Sequence, residues 1–516
     1  MVAVITTGAL RGIESYLVRV EADVSNGLPC IDMVGSLGKE VREAKERVRV
    51  ALKNSEISLP PMRVTINLSP ADLPKEGTGY DLPIAMALLA ALGYLPLERT
   101  EDVMIVGELG LAGEVKGVRG ILPMAVEAKA KGIRKCIVPK NNASECAVVQ
   151  GIEVIGVESL EQTFLYLQSD ETKQREMIRP TEVDVAALFQ GITQAEETDY
   201  AEMGGQESIK RAMQIAAAGF HNILMIGPPG AGKTMAAKRL PGILPPLTLE
   251  ESMEASKVYS VAGLLGEDEI LVTKRPFMSP HHTVTQQALA GGGRTPQPGI
   301  ISLSHKGILF LDEIVHFPSY ILELLRQPME DKKIHIMRSK GSCIFPADFM
   351  LVASMNPCPC GYYPDVNRCR CTPEKVRRYV ERLSGPIIDR IDICVEAPKI
   401  KYQELNGGQT GSSSAMLWEG VKRARKMQEK RYQGRNISFN GQLGPKEIED
   451  FILLDKAEEK YMEEIFYKMN LSSRSYHKAL KVARTIADLE GAEMIRREHL
   501  TEAVCYRGLD DKYREL

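Results

Sequence analysis

Over the first 165 residues the spacing of apolar and polar positions changes repeatedly. The runs "YLVRVEADV", "RVTINLSP" and "KCIVPK" are short and β-rich, and they predict strands. The segments that begin at Val41, Tyr80 and Gly120 read as helices. The longest apolar run, "LPIAMALLAALGYLPL" from Leu82 to Leu97, is short for a bilayer span, which needs about 20 residues. It also contains Pro83 and Gly93, so it predicts a buried helix. Past residue 168 the pattern dissolves into "QSDETKQREMIRPTEVD" and "TQAEETDY", which predicts a linker or loosely packed connection over 169–202. A block at 203–404 returns to short apolar runs with polar tips. "NGGQTGSSS", Asn406 to Ser414, has the composition of a hinge, and 415–516 is almost wholly helical in pattern.

The middle block carries the chemistry. "NILMIGPPGAGKT", Asn222 to Thr234, is a strand followed by G-x-x-x-x-G-K-T and a helix. In such a loop the backbone N–H groups of Gly227, Pro228, Pro229, Gly230, Ala231 and Gly232, prolines aside, wrap phosphates, and the helix N-terminus adds partial positive charge. Lys233 is expected to reach the β- and γ-phosphates, and Thr234 to ligate Mg²⁺. "KGILFLDEI", Lys306 to Ile314, is an apolar strand whose tip offers a metal-linked acid, Asp312, and a water-activating base, Glu313. "FMLVASMN", Phe349 to Asn356, is a third buried strand, with Asn356 placed to orient the attacking water or touch the γ-phosphate. Together these predict Mg-dependent ATP hydrolysis.

The order of phosphate loop, Asp-Glu strand and Asn-tipped strand resembles the AAA+ ATPase core. In the magnesium-chelatase-like branch of that group, the arginine of the motif at "SGPIIDRIDI", Ser384 to Ile393, acts in trans on a neighbouring subunit. The resemblance implies that role for Arg390. "LSSRSYHKALKVARTIADLEG", Leu471 to Gly491, looks like the sensor-2 helix and implies that Arg474 reaches the γ-phosphate. Guanidinium groups suit the spread charge of a transferring phosphoryl group. A trans arginine implies a ring, hexameric by the same resemblance.

"AAAGFHNILMIGPPGAGKT", "RPFMSPHHTVTQQALAGGG", "GIISLSHKGILFLDEI", "LLRQPMED" and "NPCPCG" narrow the resemblance to the YifB/ComM family. The implied fold is α/β: a P-loop AAA+ core with an N-terminal Lon-protease-like α/β domain (1–168) and a C-terminal helical lid (415–516). ComM members are implied to be ATP-driven DNA helicases that promote branch migration during DNA uptake. Ile300 and His316 depart from the family pattern, standing where acidic residues are expected. The Lon likeness rests on "LPKEGTGYDLPIAMALLAAL" and "GELGLAGEVKGVRGILPMAVEA". Lon-type peptidases pair a serine with an activating lysine. Those positions align here with Gly79 and Leu122, and adjacent Thr78 has no facing lysine, so no peptidase activity is expected.

Composition adds limits. Hydrophobic residues make up 44%, charged residues 26%, and the formal net charge is −3, so nucleic-acid binding would rely on local basic patches. The opening "MVAVITTGALRGIESY" lacks the layout of a secretory signal, which predicts a cytoplasmic protein with reduced thiols and no membrane partner. Cys30, Cys136, Cys146, Cys343, Cys394 and Cys505 are scattered and are expected as small buried hydrophobes. The other four cluster as Cys358-x-Cys360 and Cys369-x-Cys371 within the loop 358–371. Four thiolates there can close a tetrahedral Zn²⁺ site, although C-x-C is tighter than the common C-x₂-C knuckle. Free thiols, another metal and disulfides are the alternatives. A metal would stiffen a projection rooted at Asn356, with Arg368 and Arg370 available to DNA or to a neighbouring subunit.

Two segments read as insertions in the ATPase core. "HHTVTQQALAGGGRTPQPG", His281 to Gly299, carries Arg294; "KKIHIMRSKGSCIF", Lys332 to Phe345, predicts a hairpin with Arg338 and Lys340 near its turn. In related rings such insertions line the channel, where basic tips track a phosphate backbone; solvated loops are the alternative. "VKRARKMQEKRYQGR" carries seven basic residues and one acidic one, on a helix that either binds DNA or faces solvent. The expected function is an ATP-driven ring motor, a homo-hexamer acting on single-stranded or branched DNA. The rival is a magnesium-chelatase-like motor that remodels a protein partner.

Overall fold

The computed structural model describes residues 2–189, 198–266, 269–293, 295–338, 341–383, 385–399 and 411–507. Seven strands build the N-terminal sheet: β1 (Ala3–Arg11), β2 (Glu14–Ser25), β3 (Cys30–Val34), β4 (Arg63–Ser69), β5 (Val103–Ile105), β6 (Lys135–Pro139) and β7 (Glu153–Val157), in the order β3-β4-β2-β1-β5-β6-β7. Alternation sets the faces: in β2, Val18, Val20 and Ala22 are buried while Arg19 between them is exposed. Helix α1 (Lys39–Asn54) buries Val41, Ala44, Val48, Ala51 and Leu52, a single stripe at helical spacing. Helix α2 (Asp81–Ala91) is buried on all sides, as its unbroken apolar sequence requires. Asp81 at its start is buried too. Arg47 pairs with it through Nε at 2.7 Å and Nη2 at 2.8 Å, and the Leu109 amide donates to it at 3.2 Å. Helix α3 (Ile121–Ala130) covers the opposite face of the sheet, where it shares a second core with Met104, Cys136 and Val138.

The expected linker differs from what is found. Asp170 caps a helix at Glu171–Met177 by accepting from the Lys173 amide at 3.0 Å, and Gln174 from that helix is buried against the Tyr166 carbonyl. Ile178, Val183, Val185, Leu188 and Phe189 then pack onto the N-terminal cores. Residues 169–189 are therefore a strap on the first domain; apolar residues spaced among charges hold it down. Tyr200 already belongs to the next domain, fully buried with its hydroxyl donating to the Ala236 carbonyl at 2.8 Å.

The second domain starts with helix α4 (Glu207–Gly219), followed by strand β8 (Ile223–Ile226), α5 (Lys233–Arg239) and α6 (Leu249–Ala262). Further strands are β9 (Phe277–Met278), β10 (Ile308–Leu311), β11 (Lys333–Arg338), β12 (Gly341–Pro346), β13 (Met350–Met355) and β14 (Ile393–Glu396), besides a short ribbon of Gly291–Gly292 with Gln297–Pro298. The parallel sheet runs β9-β10-β13-β8-β14. Every residue of β8, β10 and β13 is buried, the signature of a parallel sheet covered on both faces. β11 and β12 form the hairpin read from the sequence, in register from Lys333↔Pro346 to Arg338↔Gly341.

Helix α7 (Pro373–Val380) precedes the C-terminal helices α8 (Ser414–Arg431), α9 (Ser473–Glu490) and α10 (Arg497–Cys505). These share one apolar core with α4 and the sheet. Asp488 is buried among them and held by Arg431 and Asn440 at 2.8 and 2.9 Å. Among the described residues no helix is long and apolar enough to cross a membrane. Cys136, Cys146, Cys343 and Cys394 are buried, but Cys30 and Cys505 are exposed, against expectation. Cys30 begins the edge strand β3, and Cys505 lies at the outer end of α10, places that hydrophobicity alone does not reveal.

Candidate active site

β8 delivers the chain into the loop 227–232, and α5 begins at Lys233. Gly230 and Gly232 adopt φ of +77° and +81°, left-handed values that glycine accepts without a Cβ penalty. At Gly227 a Cβ would run into the Ala397 carbonyl, so the loop lies flush against the end of β14. Lys233 Nζ donates to the Gly227 carbonyl at 2.6 Å, the Pro228 carbonyl at 3.0 Å and Asn356 Oδ1 at 3.2 Å. Burial pushes its pKa down, opposed by the nearby carboxylates of Asp312 and Glu313. Thr234 Oγ1 donates to Asp312 Oδ2 at 2.8 Å. A hydroxyl and a carboxylate in that relation are the donor set that holds Mg²⁺ beside a P-loop.

Two residues missed from the sequence complete the cluster. Ser354, buried on β13, donates to Asp312 Oδ1, and its hydroxyl accepts from the Glu313 amide at 3.2 Å. Its signal was a lone hydroxyl inside the apolar run "LVASM". Tyr379, on α7, receives a backbone hydrogen bond from Asn356 and lies near Glu313 and Cys358; burial pushes its phenol up to about 12. Glu313 itself sits at φ +50°, its amide also donating to Asp312 Oδ1 at 3.1 Å, while the residue remains exposed. A non-glycine residue in that region is held there by its surroundings.

Three stretches of the chain match family models. Residues 199–405 match magnesium chelatase, subunit ChlI; residues 20–142 match subunit ChlI of Mg-chelatase; residues 411–507 match the ChlI C-terminal region. The chain is 41% identical over 509 residues to the Escherichia coli (strain K12) protein named YifB, covering 98% of this chain and 97% of that one. It is also 41% identical over 513 residues to competence protein ComM of Haemophilus influenzae, with the same coverage. The chain belongs to the YifB/ComM family. Its N-terminal domain is in addition 27% identical over 140 residues to Lon protease 2 of Bacillus subtilis, 26% of this chain and 25% of that protein. The architecture is thus a magnesium-chelatase-like AAA+ module with a Lon-protease-like domain before it and helices after it.

Within this YifB/ComM chain the two candidate arginines stand away from the phosphate loop. The turn that holds Arg390 precedes β14, and the Asn222 side chain donates to the Arg390 carbonyl at 3.0 Å. Asn222 is at the start of β8 and Gly227 follows its end, roughly 16 Å along the strand. The Arg390 guanidinium pairs with Glu330 and donates to the Pro386 carbonyl at 2.6 Å. Arg474 is exposed in the first turn of α9, and Lys478, one turn later, donates to the Asp389 and Ile391 carbonyls. The other end of α9 lies by α4, where Arg211 meets Glu490 at 3.7 Å. The expectation that Arg474 reaches the γ-phosphate is therefore not met within the chain: α9 runs the wrong way to carry it there. Both arginines occupy the edge opposite the chain's own nucleotide loop.

Of the basic loop residues, Arg294 and Lys340 lie outside the described residues, and Arg338 ends β11. The roots of both insertions lean on the Lon-like domain. Thr295 donates to Glu76 Oε2 at 3.0 Å, and a Cβ on Gly12 would come 3.1 Å from Cys343 Cβ. Between these contacts lies a cavity of about 440 Å³, lined among others by Thr78, Gly79, Glu108, Arg119 and Gln297. The Thr78 hydroxyl donates to Glu108, and Leu122 is buried. Lys75, the buried lysine nearest in sequence, donates to the Pro70 carbonyl. Among the described residues no lysine lines the cavity.

The four clustered cysteines are brought together. Cys358 Sγ is 3.3 Å from Cys360 Sγ and 3.7 Å from Cys369 Sγ, and Cys360 Sγ is 3.5 Å from Cys369 Sγ. With Cys371, all four sulfurs lie within 4.8 Å of one another. No disulfide joins any two of the four.

Proposed function

We propose that this YifB/ComM-family protein is an ATP-hydrolysing ring motor, a homo-hexamer that remodels or translocates single-stranded or branched DNA as a branch-migration helicase in DNA uptake or recombination. The observation that carries the ATPase reading is the convergence of Lys233, Thr234, Asp312 and Asn356 through direct hydrogen bonds. Lys233 holds the β- and γ-phosphates once they displace its loop carbonyls. Thr234 and Asp312 hold Mg²⁺, which offsets phosphate charge. Glu313 takes the proton of the attacking water, and Asn356 orients that water. Arg390 and Arg474, at the edge away from their own loop, serve the site of the adjacent subunit. The same reading gives the four-cysteine loop one structural zinc ion.

DNA as substrate draws on the competence name of the Haemophilus relative and on the basic insertions. A labelled synthetic four-way junction tests it. The wild-type ring is expected to dissociate the junction in an ATP-dependent way, and Lys233→Ala to leave it intact. ATP hydrolysis without any dissociation would overturn the helicase reading. Matches to ChlI across all three stretches favour a second reading, a motor that remodels a protein partner.

A further inference from the structure

The loop that carries the four cysteines has little to hold it. From Asp365 to Arg370 only Cys369 is not exposed, and Val366 is 88% exposed. Among the described residues, no strand or apolar core of its own stabilises the segment. Yet its sulfurs converge. Zinc–thiolate bonds of about 2.3 Å place tetrahedral sulfurs about 3.8 Å apart, close to the 3.3–3.7 Å separations here. A disulfide would need about 2.05 Å. The span of 4.8 Å leaves room for one ion rather than a multi-iron cluster. The Tyr363 amide donates to Cys358 Sγ at 3.3 Å, the kind of outer contact that orients a metal ligand.

The loop also touches the nucleotide site. Gly361 lies at φ +85°, and its amide donates to the Cys358 carbonyl at 2.9 Å, closing a turn between two of the cysteines and Pro229. A Cβ on Gly361 would stand 2.6 Å from Pro229 Cδ and 3.9 Å from Asn356 Cγ. Pro229 belongs to the phosphate loop, and Asn356 accepts from Lys233. The thiol cluster is thus separated from the phosphate-binding backbone by a single glycine.

We propose that Cys358, Cys360, Cys369 and Cys371 bind one zinc ion, and that this ion controls nucleotide affinity by pressing the Cys358–Gly361 turn against Pro229 and Asn356. The proposal rests on the ATPase reading above. Zinc does no chemistry on the nucleotide. It fixes the wall against which the phosphate loop is shaped, so its loss lets Pro229 and Asn356 move apart.

The test uses the full chain, purified in reducing buffer. Elemental analysis should find one zinc per chain, lost in Cys369→Ser. Affinity for a fluorescent ADP analogue is then measured with magnesium in excess, before zinc is displaced by a mercurial, after it, and after thiol and zinc are restored. Affinity should fall about tenfold or more on displacement and return on restoration. Gly361→Ala, which keeps all four thiols, should retain zinc and lose affinity by a similar factor. Circular dichroism separates that result from unfolding. Absence of zinc overturns the metal site. Stoichiometric zinc with affinity unchanged by displacement, or by Gly361→Ala in a folded protein, overturns the control. If the zinc-loaded protein binds no nucleotide at all, the ATPase reading fails instead, with the zinc count standing by itself.

Discussion

Rings in which every subunit carries Arg390→Ala are expected to hydrolyse ATP at least about 10³-fold more slowly while still binding it. The expectation follows from where the structure puts this arginine. Its turn is anchored by Asn222 at the start of β8, the end of the strand remote from Gly227. Lys478 adds a second anchor by donating to the Asp389 and Ile391 carbonyls on either side of it. A side chain so placed cannot fold back onto its own phosphates, which is why action on a neighbouring subunit is proposed for it. Mixing Arg390→Ala subunits with Glu313→Gln subunits should therefore restore part of the activity. Recovery arises wherever an intact finger meets an intact base, and its complete absence would contradict action in trans. Because the guanidinium also pairs with Glu330, Arg390→Lys is the control for stability. It keeps the charge but loses the planar fork, so it should fold normally and remain slow.

Glu313→Gln should lower kcat by about 10²- to 10⁴-fold, the range for removing a general base, with the KM for ATP little changed. The carboxyl group can be altered without disturbing the loop, because the backbone holds the residue: the Glu313 amide donates to Asp312 Oδ1 at 3.1 Å and to Ser354 Oγ at 3.2 Å. The amide side chain cannot take a proton from water, so bound ATP should persist. Steady-state rates together with nucleotide-trapping measurements check both halves. An unchanged kcat would remove Glu313 from the chemistry and move the base elsewhere.

Motifs that act over a few residues are legible in the amino-acid order alone. The phosphate loop, the Asp312–Glu313 tip and the β11–β12 hairpin are local patterns, and each lies where its spacing puts it. Contacts made across the fold are not legible in that way. Ser354 looks like any hydroxyl in a strand until β10 is laid beside β13, and Tyr379 is one aromatic in a charged helix until α7 packs near Asn356. Residues 169–189 read as linker because charge dominates the window, whereas Val183, Val185 and Leu188 decide the outcome by packing. Arg474 could be assigned to a sensor helix by motif, but motif does not give the direction of α9 relative to β8. That direction carries Arg474 away from the chain's own phosphate loop. Exposed Cys30 and Cys505 show the same limit for burial judged by residue type.

The motor claim is tested most directly by the ATPase rate of the purified protein, measured alone, with single-stranded DNA and with a four-way junction, over a Lys233→Ala background. A DNA-driven motor predicts strong stimulation by at least one DNA form, falling as salt rises because phosphate contacts release counterions. Robust hydrolysis indifferent to every DNA form would contradict it and make a protein the substrate.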